Sequence, residues 1–121
     1  MTEPIRVFVY GTLRTGGSNH QLLQGQCLLG VFTTEAAYRL YDFGDYPGAM
    51  MQGSTALVGE VYQIDADCLA ELDALEETPW FYSRSLITTD WGEAWIYTLV
   101  QAPADAQLLR HGDWLQRASG I

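Results

Sequence analysis

Cys68, Leu69, Leu72 and Leu75 recur at helical spacing, and Glu76 follows Leu72 by four residues and Leu69 by seven. At about 100° per residue the four apolar side chains form one stripe, and Glu76 falls about 50° from its centre. Asp73 and Glu77 point well away from the stripe, and Glu71 sits near its border. A carboxylate on the inward side of a helix end is costly to bury unless it is paired, hydrogen-bonded or protonated. Desolvation raises its pKa, which suits a general base or acid near neutral pH. The spacing alone leaves two outcomes open. Glu76 is desolvated against the core, or the helix frays before Pro79 and the side chain swings into water. Arg84, in the strand that follows, either pairs with Glu76 or stands as a solvated charge.

A second stretch offers a different chemistry. Val7, Phe8, Val9 and Tyr10 are β-branched or aromatic, so residues 5–10 read as a buried strand that Gly11 stops. Arg14, Gly16, Gly17, Ser18 and Asn19 form a cluster of turn residues. A short helix over residues 21–24 follows, with Ser18 or Asn19 as its cap. A core strand ending in such a loop presents backbone N–H groups in a concave turn, which binds a carboxylate or an oxyanion. An ordinary strand exit, with Gly11 supplying a positive φ, accounts for the same residues.

Other chemistries find little support. The chain has no GxSxG, GxGxxG or GxxxxGK[ST] pattern. His20 and His111 are too few and too isolated to build a metal site with Cys27 and Cys68, so neither metal nor cofactor is expected. The two cysteines make no CxxC pattern and read as buried free thiols in a reducing cytoplasm. A Cys–His nucleophile pair stays open, although Cys68 lies on the apolar stripe and reads as core.

The elements that must position these groups follow in order. Residues 27–34 and 37–43 read as two strands, and residues 44–49 as a turn-rich loop around Tyr46 and Pro47. Residues 56–64 read as a further strand whose Glu60 marks a wet face or a cavity border. Asp65 or Asp67 caps the main helix. Residues 81–88 and 93–100 form a hairpin about Asp90-Trp91-Gly92. Residues 102–105 read as a linker, and a short helix near Trp114 closes the chain. Five to six strands with one main helix and a short second helix make an α+β domain, and so few residues with long strands suit a small, mixed, closed or partly closed β-barrel.

At 121 residues one domain is the expectation, and 48% hydrophobic content supplies a core. Six arginines, no lysine and a net charge of −9 repel nucleic-acid phosphates and anionic lipid, so neither nucleic acid nor membrane is an expected partner. No apolar run is long enough to span a bilayer, and Met1 to Arg6 shows no basic-then-apolar leader. A cytoplasmic location is expected. The sequence leaves the oligomeric state open.

Phe8-Val9-Tyr10-Gly11-Thr12-Leu13-Arg14, with Asn19-His20 after it, resembles the signature loop of the γ-glutamylcyclotransferase-like (AIG2-like) superfamily. Leu72-Asp73-Ala74-Leu75-Glu76-Glu77-Thr78-Pro79, followed by Tyr82 and Arg84, resembles its second motif. Gly59-Glu60-Val61-Tyr62 and Tyr46-Pro47-Gly48-Ala49 fit between them, and the likeness runs from Ile5 to Trp114. It is strongest to small bacterial YtfP-like members and to γ-glutamylamine cyclotransferases. The resemblance implies a small β-barrel flanked by helices and conversion of a small γ-glutamyl amine or peptide to 5-oxoproline and the free amine. It implies Glu76 as proton acceptor, Tyr10, Gly11, Thr12 and Leu13 as the loop holding the γ-glutamyl group, and Tyr82 and Arg84 in the substrate-binding set. A non-catalytic module binding a small γ-glutamyl-like acid is the alternative, and an interaction role for a vestigial pocket is a third. The leaving amine is not identified by the sequence.

Overall fold

The computed structural model describes residues 4–78 and 80–116. Met1, Thr2, Glu3 and Pro79, on which part of the expectations about the leader and the helix stop rest, lie outside the described residues.

Six strands form one curled sheet, a half-barrel: β1 (Ile5–Val9), β2 (Cys27–Asp42), β3 (Pro47–Ile64), β4 (Tyr82–Thr89), β5 (Gly92–Leu99) and β6 (Gln107–Leu109). Their order is β4-β5-β1-β3-β2-β6. The pairs are antiparallel except β1 with β5, which run parallel, so the sheet is mixed as expected. One α-helix, α1 (Ala66–Leu75), and two 3-10 turns, His20–Leu23 and Trp114–Gln116, complete the described chain.

The first strand explains the core. Val7 lies between Tyr62 and Trp95, and Phe8 between Val61 and Ile96. Successive side chains of a strand face opposite ways. Val7 and Val9 join Cys68 and Leu72 of α1 in one buried cluster, while Phe8 and Tyr10 join Leu40, Leu57 and Ile96 in another. A strand covered on both faces needs a continuous apolar run, which is what residues 7–10 supply.

The structure corrects several boundaries. The strands expected over 27–34 and 37–43 are one 16-residue strand, β2, and β3 begins at Pro47 rather than Ala56. The turn between them is short: Phe43 N–H donates to Tyr46 O at 2.9 Å. The register shifts between Thr33 and Ala36, where a break would be read. There the Thr34 hydroxyl accepts the N–H of Leu57 at 2.9 Å and restores the ladder. The 3-10 turn starts at His20, and Asn19 makes no side-chain cap to it. The region read as a linker leads into β6, three residues paired with Leu40 to Asp42. Cys68 is buried but Cys27 is exposed. No helix among the described residues is long and apolar enough to cross a membrane.

Candidate active site

The end of α1 has a definite geometry. Asp65 caps its start, accepting Cys68 N–H at 2.7 Å. At its far end Thr78 N–H reaches Asp73 O and Glu77 N–H reaches Ala74 O, at 3.0 and 3.2 Å. These are the two bonds of a Schellman closure, in which the residue after the cap turns left-handed. Glu77 takes that place at φ 51°. The closure holds Glu76 as the last residue on the inward side and leaves Glu77 exposed beside it. The helix therefore does not fray at Glu76. Asp73 departs from the wheel's expectation: it is half-buried and bonded, not simply solvent-facing.

Glu76 borders a cavity of about 320 Å³ between the end of β1, the start of β3, the end of α1 and the start of β4. That volume lies at the small end of ligand pockets. Burial pushes the Glu76 carboxyl up from 4.5 to about 7. Among the described residues its carboxylate has no hydrogen-bond or ion-pair partner, while Tyr10, Tyr82 and Tyr97 stand around it and line the same cavity. Their hydroxyls are held above the ordinary tyrosine range, chiefly by burial, and so stay protonated. Each is tied down: Tyr10 donates to Tyr97 O at 2.6 Å and accepts Ala49 N–H at 3.0 Å. Tyr82 donates to Pro47 O, and Tyr97 donates to Asp73 at 2.7 Å.

The loop after β1 is fixed from four sides. Asn19 holds Thr12 twice, through its N–H to Thr12 O at 2.9 Å and its side-chain amide to the Thr12 hydroxyl at 3.0 Å. The His20 ring donates from Nδ1 to Leu13 O at 3.0 Å. Arg14 pairs with Asp113 at 2.6 Å. Buried Glu60 accepts Thr15 N–H at 2.8 Å together with the Thr15 and Tyr62 hydroxyls. So Glu60 marks an anchor beneath the loop rather than a wet face. The N–H groups of Gly11, Thr12 and Leu13 find no acceptor among the described residues. An amide left open in buried backbone is rare without a ligand or water to meet it.

Gly11 is required for a reason other than the expected one. Its φ is not positive. A Cβ there would overlap the ring of Pro47, so glycine permits the close approach of loop and β3.

Six of the seven residues singled out from the sequence, Tyr10, Gly11, Thr12, Leu13, Glu76 and Tyr82, line the cavity together. Arg84 does not. It pairs with Asp73 at 2.9 Å and stacks over Trp95 at 4.3 Å, so it meets Glu76 neither directly nor across the cavity. It acts on the cavity wall through Asp73 and the Tyr97 hydroxyl. Tyr97 was missed by sequence reasoning; a polar aromatic inside the apolar run of β5 was its one available signal. Among the described residues no three His, Cys, Asp or Glu side chains converge on a point that could hold a metal ion.

Comparison with known proteins gives a consistent set of relatives. A family model described as gamma-glutamyl cyclotransferase, AIG2-like, matches residues 7–116. A Vibrio cholerae protein provisionally named gamma-glutamylcyclotransferase is 50% identical over 111 residues, 92% of this chain and 96% of its own. The gamma-glutamylcyclotransferase family protein YtfP of Escherichia coli is 46% identical over 114 residues, 93% of this chain and 98% of its own. The solution structure of that protein superposes with a TM-score of 0.73, covering 93% of this chain and 98% of the other. A gamma-L-glutamyl-butirosin B gamma-glutamyl cyclotransferase from Niallia circulans is 33% identical over 128 residues, 95% of this chain and 81% of its own.

Proposed function

The chain belongs to the gamma-glutamyl cyclotransferase, AIG2-like family, and from that membership we propose that it releases 5-oxoproline from a γ-glutamyl amine in the cavity beside Glu76. The observation that carries this reading is the desolvated, unpartnered carboxylate of Glu76 facing a rigid loop with open amides.

The chemistry follows from those two parts. The substrate's α-amino nitrogen attacks its own γ-carbonyl carbon, forming the ring C–N bond while the bond to the leaving amine breaks. Ring closure within one molecule carries an effective molarity of about 10⁵–10⁸ M, so the protein chiefly folds the substrate and moves one proton. Glu76 accepts the proton from the attacking amine and returns it to the departing nitrogen, and a carboxyl titrating near neutrality does both. The amides of Gly11, Thr12 and Leu13 hold the substrate carboxylate or the oxyanion that forms as nitrogen adds. Protonated Tyr10, Tyr82 and Tyr97 wall the site without competing for the proton.

The test compares two neighbouring carboxylates. Glu76→Gln keeps shape but takes no proton, and its turnover of a γ-glutamyl amine is expected to fall about 10²–10⁴-fold. Product affinity should change far less, because the loop supplies the anchor. Glu77→Gln, whose side chain is exposed at the rim of the same cavity, is expected to lose much less. Equal losses in the two variants would discard Glu76 as the proton carrier.

A further inference from the structure

The three tyrosines bonded around Glu76 give their protons to two kinds of acceptor. Tyr10 donates to Tyr97 O and Tyr82 to Pro47 O, both backbone carbonyls. Tyr97 alone depends on a side chain, the Asp73 carboxylate, whose Oδ1 accepts its hydroxyl at 2.7 Å. The same Oδ1 accepts Arg84 Nε–H at 2.9 Å. Strand register explains the meeting. Arg84 of β4 lies directly opposite Tyr97 of β5, so the two side chains share one face of the sheet. Tyr82, Trp95 and Leu99 are on that face and pack with Leu72 of α1. The Arg84 guanidinium lies over Trp95 at 4.3 Å, and Asp73, next in sequence to Leu72, meets the pair from the helix.

Asp73 precedes Glu76 by three residues, a spacing that makes side chains neighbours on a helix. The Tyr97 hydroxyl therefore stands between two carboxylates. After burial, the charges of both help to hold its pKa up. A hydroxyl rotates to the acceptor that suits it. Given to Glu76, this hydrogen bond would favour the ionised carboxylate and bring its pKa down toward the ordinary range. Glu76 instead stands without a partner among the described residues, and burial holds it at about 7. The other titratable groups on the cavity wall are Tyr10, Tyr46 and Tyr82 and the acids Asp45 and Glu77. No lysine, arginine or histidine is among the described residues lining it. Of the three tyrosines with fixed protons, Tyr97 is the one whose proton a side-chain change can redirect.

Resting on the cyclotransferase reading for its part in turnover, we infer that Asp73, held by Arg84, is a positioning residue that draws the Tyr97 proton away from Glu76 and so keeps that carboxylate free to take the proton of the attacking amine. Arg84 has a second part. It cancels the Asp73 charge, which would otherwise repel the charge of Glu76 from one turn away. Neither Asp73 nor Arg84 lines the cavity, so both act through Tyr97 and Glu76.

A double-mutant cycle tests this. Its readouts are NMR titration of isotope-labelled glutamate carboxyls, with Glu76→Gln assigning the signal, and the pH profile of 5-oxoproline release from a panel of γ-glutamyl amines. Tyr97→Phe alone should leave the Glu76 inflection near 7, because the lost proton never reached it. Asp73→Ala frees the Tyr97 hydroxyl to turn to Glu76, and the inflection should fall by about one to two pH units. Adding Tyr97→Phe to Asp73→Ala should recover most of that fall, the remainder being the field of the unpaired Arg84. Arg84→Gln leaves the Asp73 charge uncancelled and should move the inflection upward. A wild-type inflection in Asp73→Ala, or the same fall with Phe as with Tyr at position 97, would overturn the proton assignment. An inflection unmoved or lowered in Arg84→Gln would overturn the part given to Arg84. Shifts in the NMR titration that the kcat/KM profile does not follow would overturn the role in turnover. If no amine of the panel yields 5-oxoproline, the cyclotransferase reading falls, and the titration, which needs no substrate, still decides where the Tyr97 proton goes.

Discussion

Burial of the Glu76 carboxyl has opposite consequences for folding and for turnover. The unfolded chain ionises this group near 4.5 and the folded chain near 7. Below 4.5 both forms are protonated and the residue imposes no penalty. Between 4.5 and about 7 the folded protein binds more protons than the unfolded one, so stability falls as pH rises, and above about 7 the full penalty is present. Activity runs the other way, because the proton acceptor must be ionised. The expected outcome is a kcat/KM that climbs to a plateau with an inflection near 7, across the same range in which the denaturant midpoint declines. Glu76→Gln should abolish the inflection and flatten its share of the stability slope. A wild type and a Gln variant with the same pH dependence of stability would show that the carboxyl is not desolvated. Arg84 illustrates the opposite case. Its charge is paired with Asp73, which also accepts the Tyr97 hydroxyl, and lies over Trp95.

At the scale of elements, the loop after β1 and the start of β3 fit together as one unit. The Pro47 ring occupies the space that a side chain at position 11 would need, and the Pro47 carbonyl is held by the Tyr82 hydroxyl. Gly11→Ala should therefore push loop and β3 apart. Overpacking of this kind costs about 1–3 kcal/mol, and the displaced amides should raise the Kd for 5-oxoproline. Calorimetric titration with 5-oxoproline and a denaturant melt check the two halves of that expectation. An Ala variant with wild-type affinity would remove the loop from the binding site. The same elements show what could be read from the chain. The strand at residues 5–10, the helix and the β4–β5 hairpin each announce themselves in a local apolar pattern, and so do Glu76 and the glycine-rich loop, which are local features too. The continuity of β2 could not be read, because Thr33, Thr34 and Glu35 look like a break and only the Thr34 hydroxyl mends the ladder. Three-residue β6 is too short for any period. The parallel meeting of β1 with β5, and the chain from Arg84 through Asp73 to Tyr97, join residues remote in sequence, and no local pattern encodes them.

At the scale of the whole molecule, the net charge of −9 sets a field that draws in cations and turns anions away, and Asp45, Glu76 and Glu77 are the charged side chains among the described residues lining the cavity. The sheet order has a further effect, on how the protein is made. β1 is synthesised before the other five described strands, yet it lies at the centre of the sheet, between β3 and β5. Trp95 and Ile96, its parallel partners, leave the ribosome about 90 residues later, which at about 5–20 residues per second is a delay of roughly 4–20 s. Throughout that interval the run Val7-Phe8-Val9-Tyr10 has an open edge and two apolar faces, the composition that favours intermolecular strand pairing. A chain terminated after residue 90, which lacks β5, should collect in the insoluble fraction, and the same fragment with Phe8→Lys should remain in solution. If both fragments are equally soluble, the nascent β1 is shielded by β3 alone, and synthesis carries no such window of exposure.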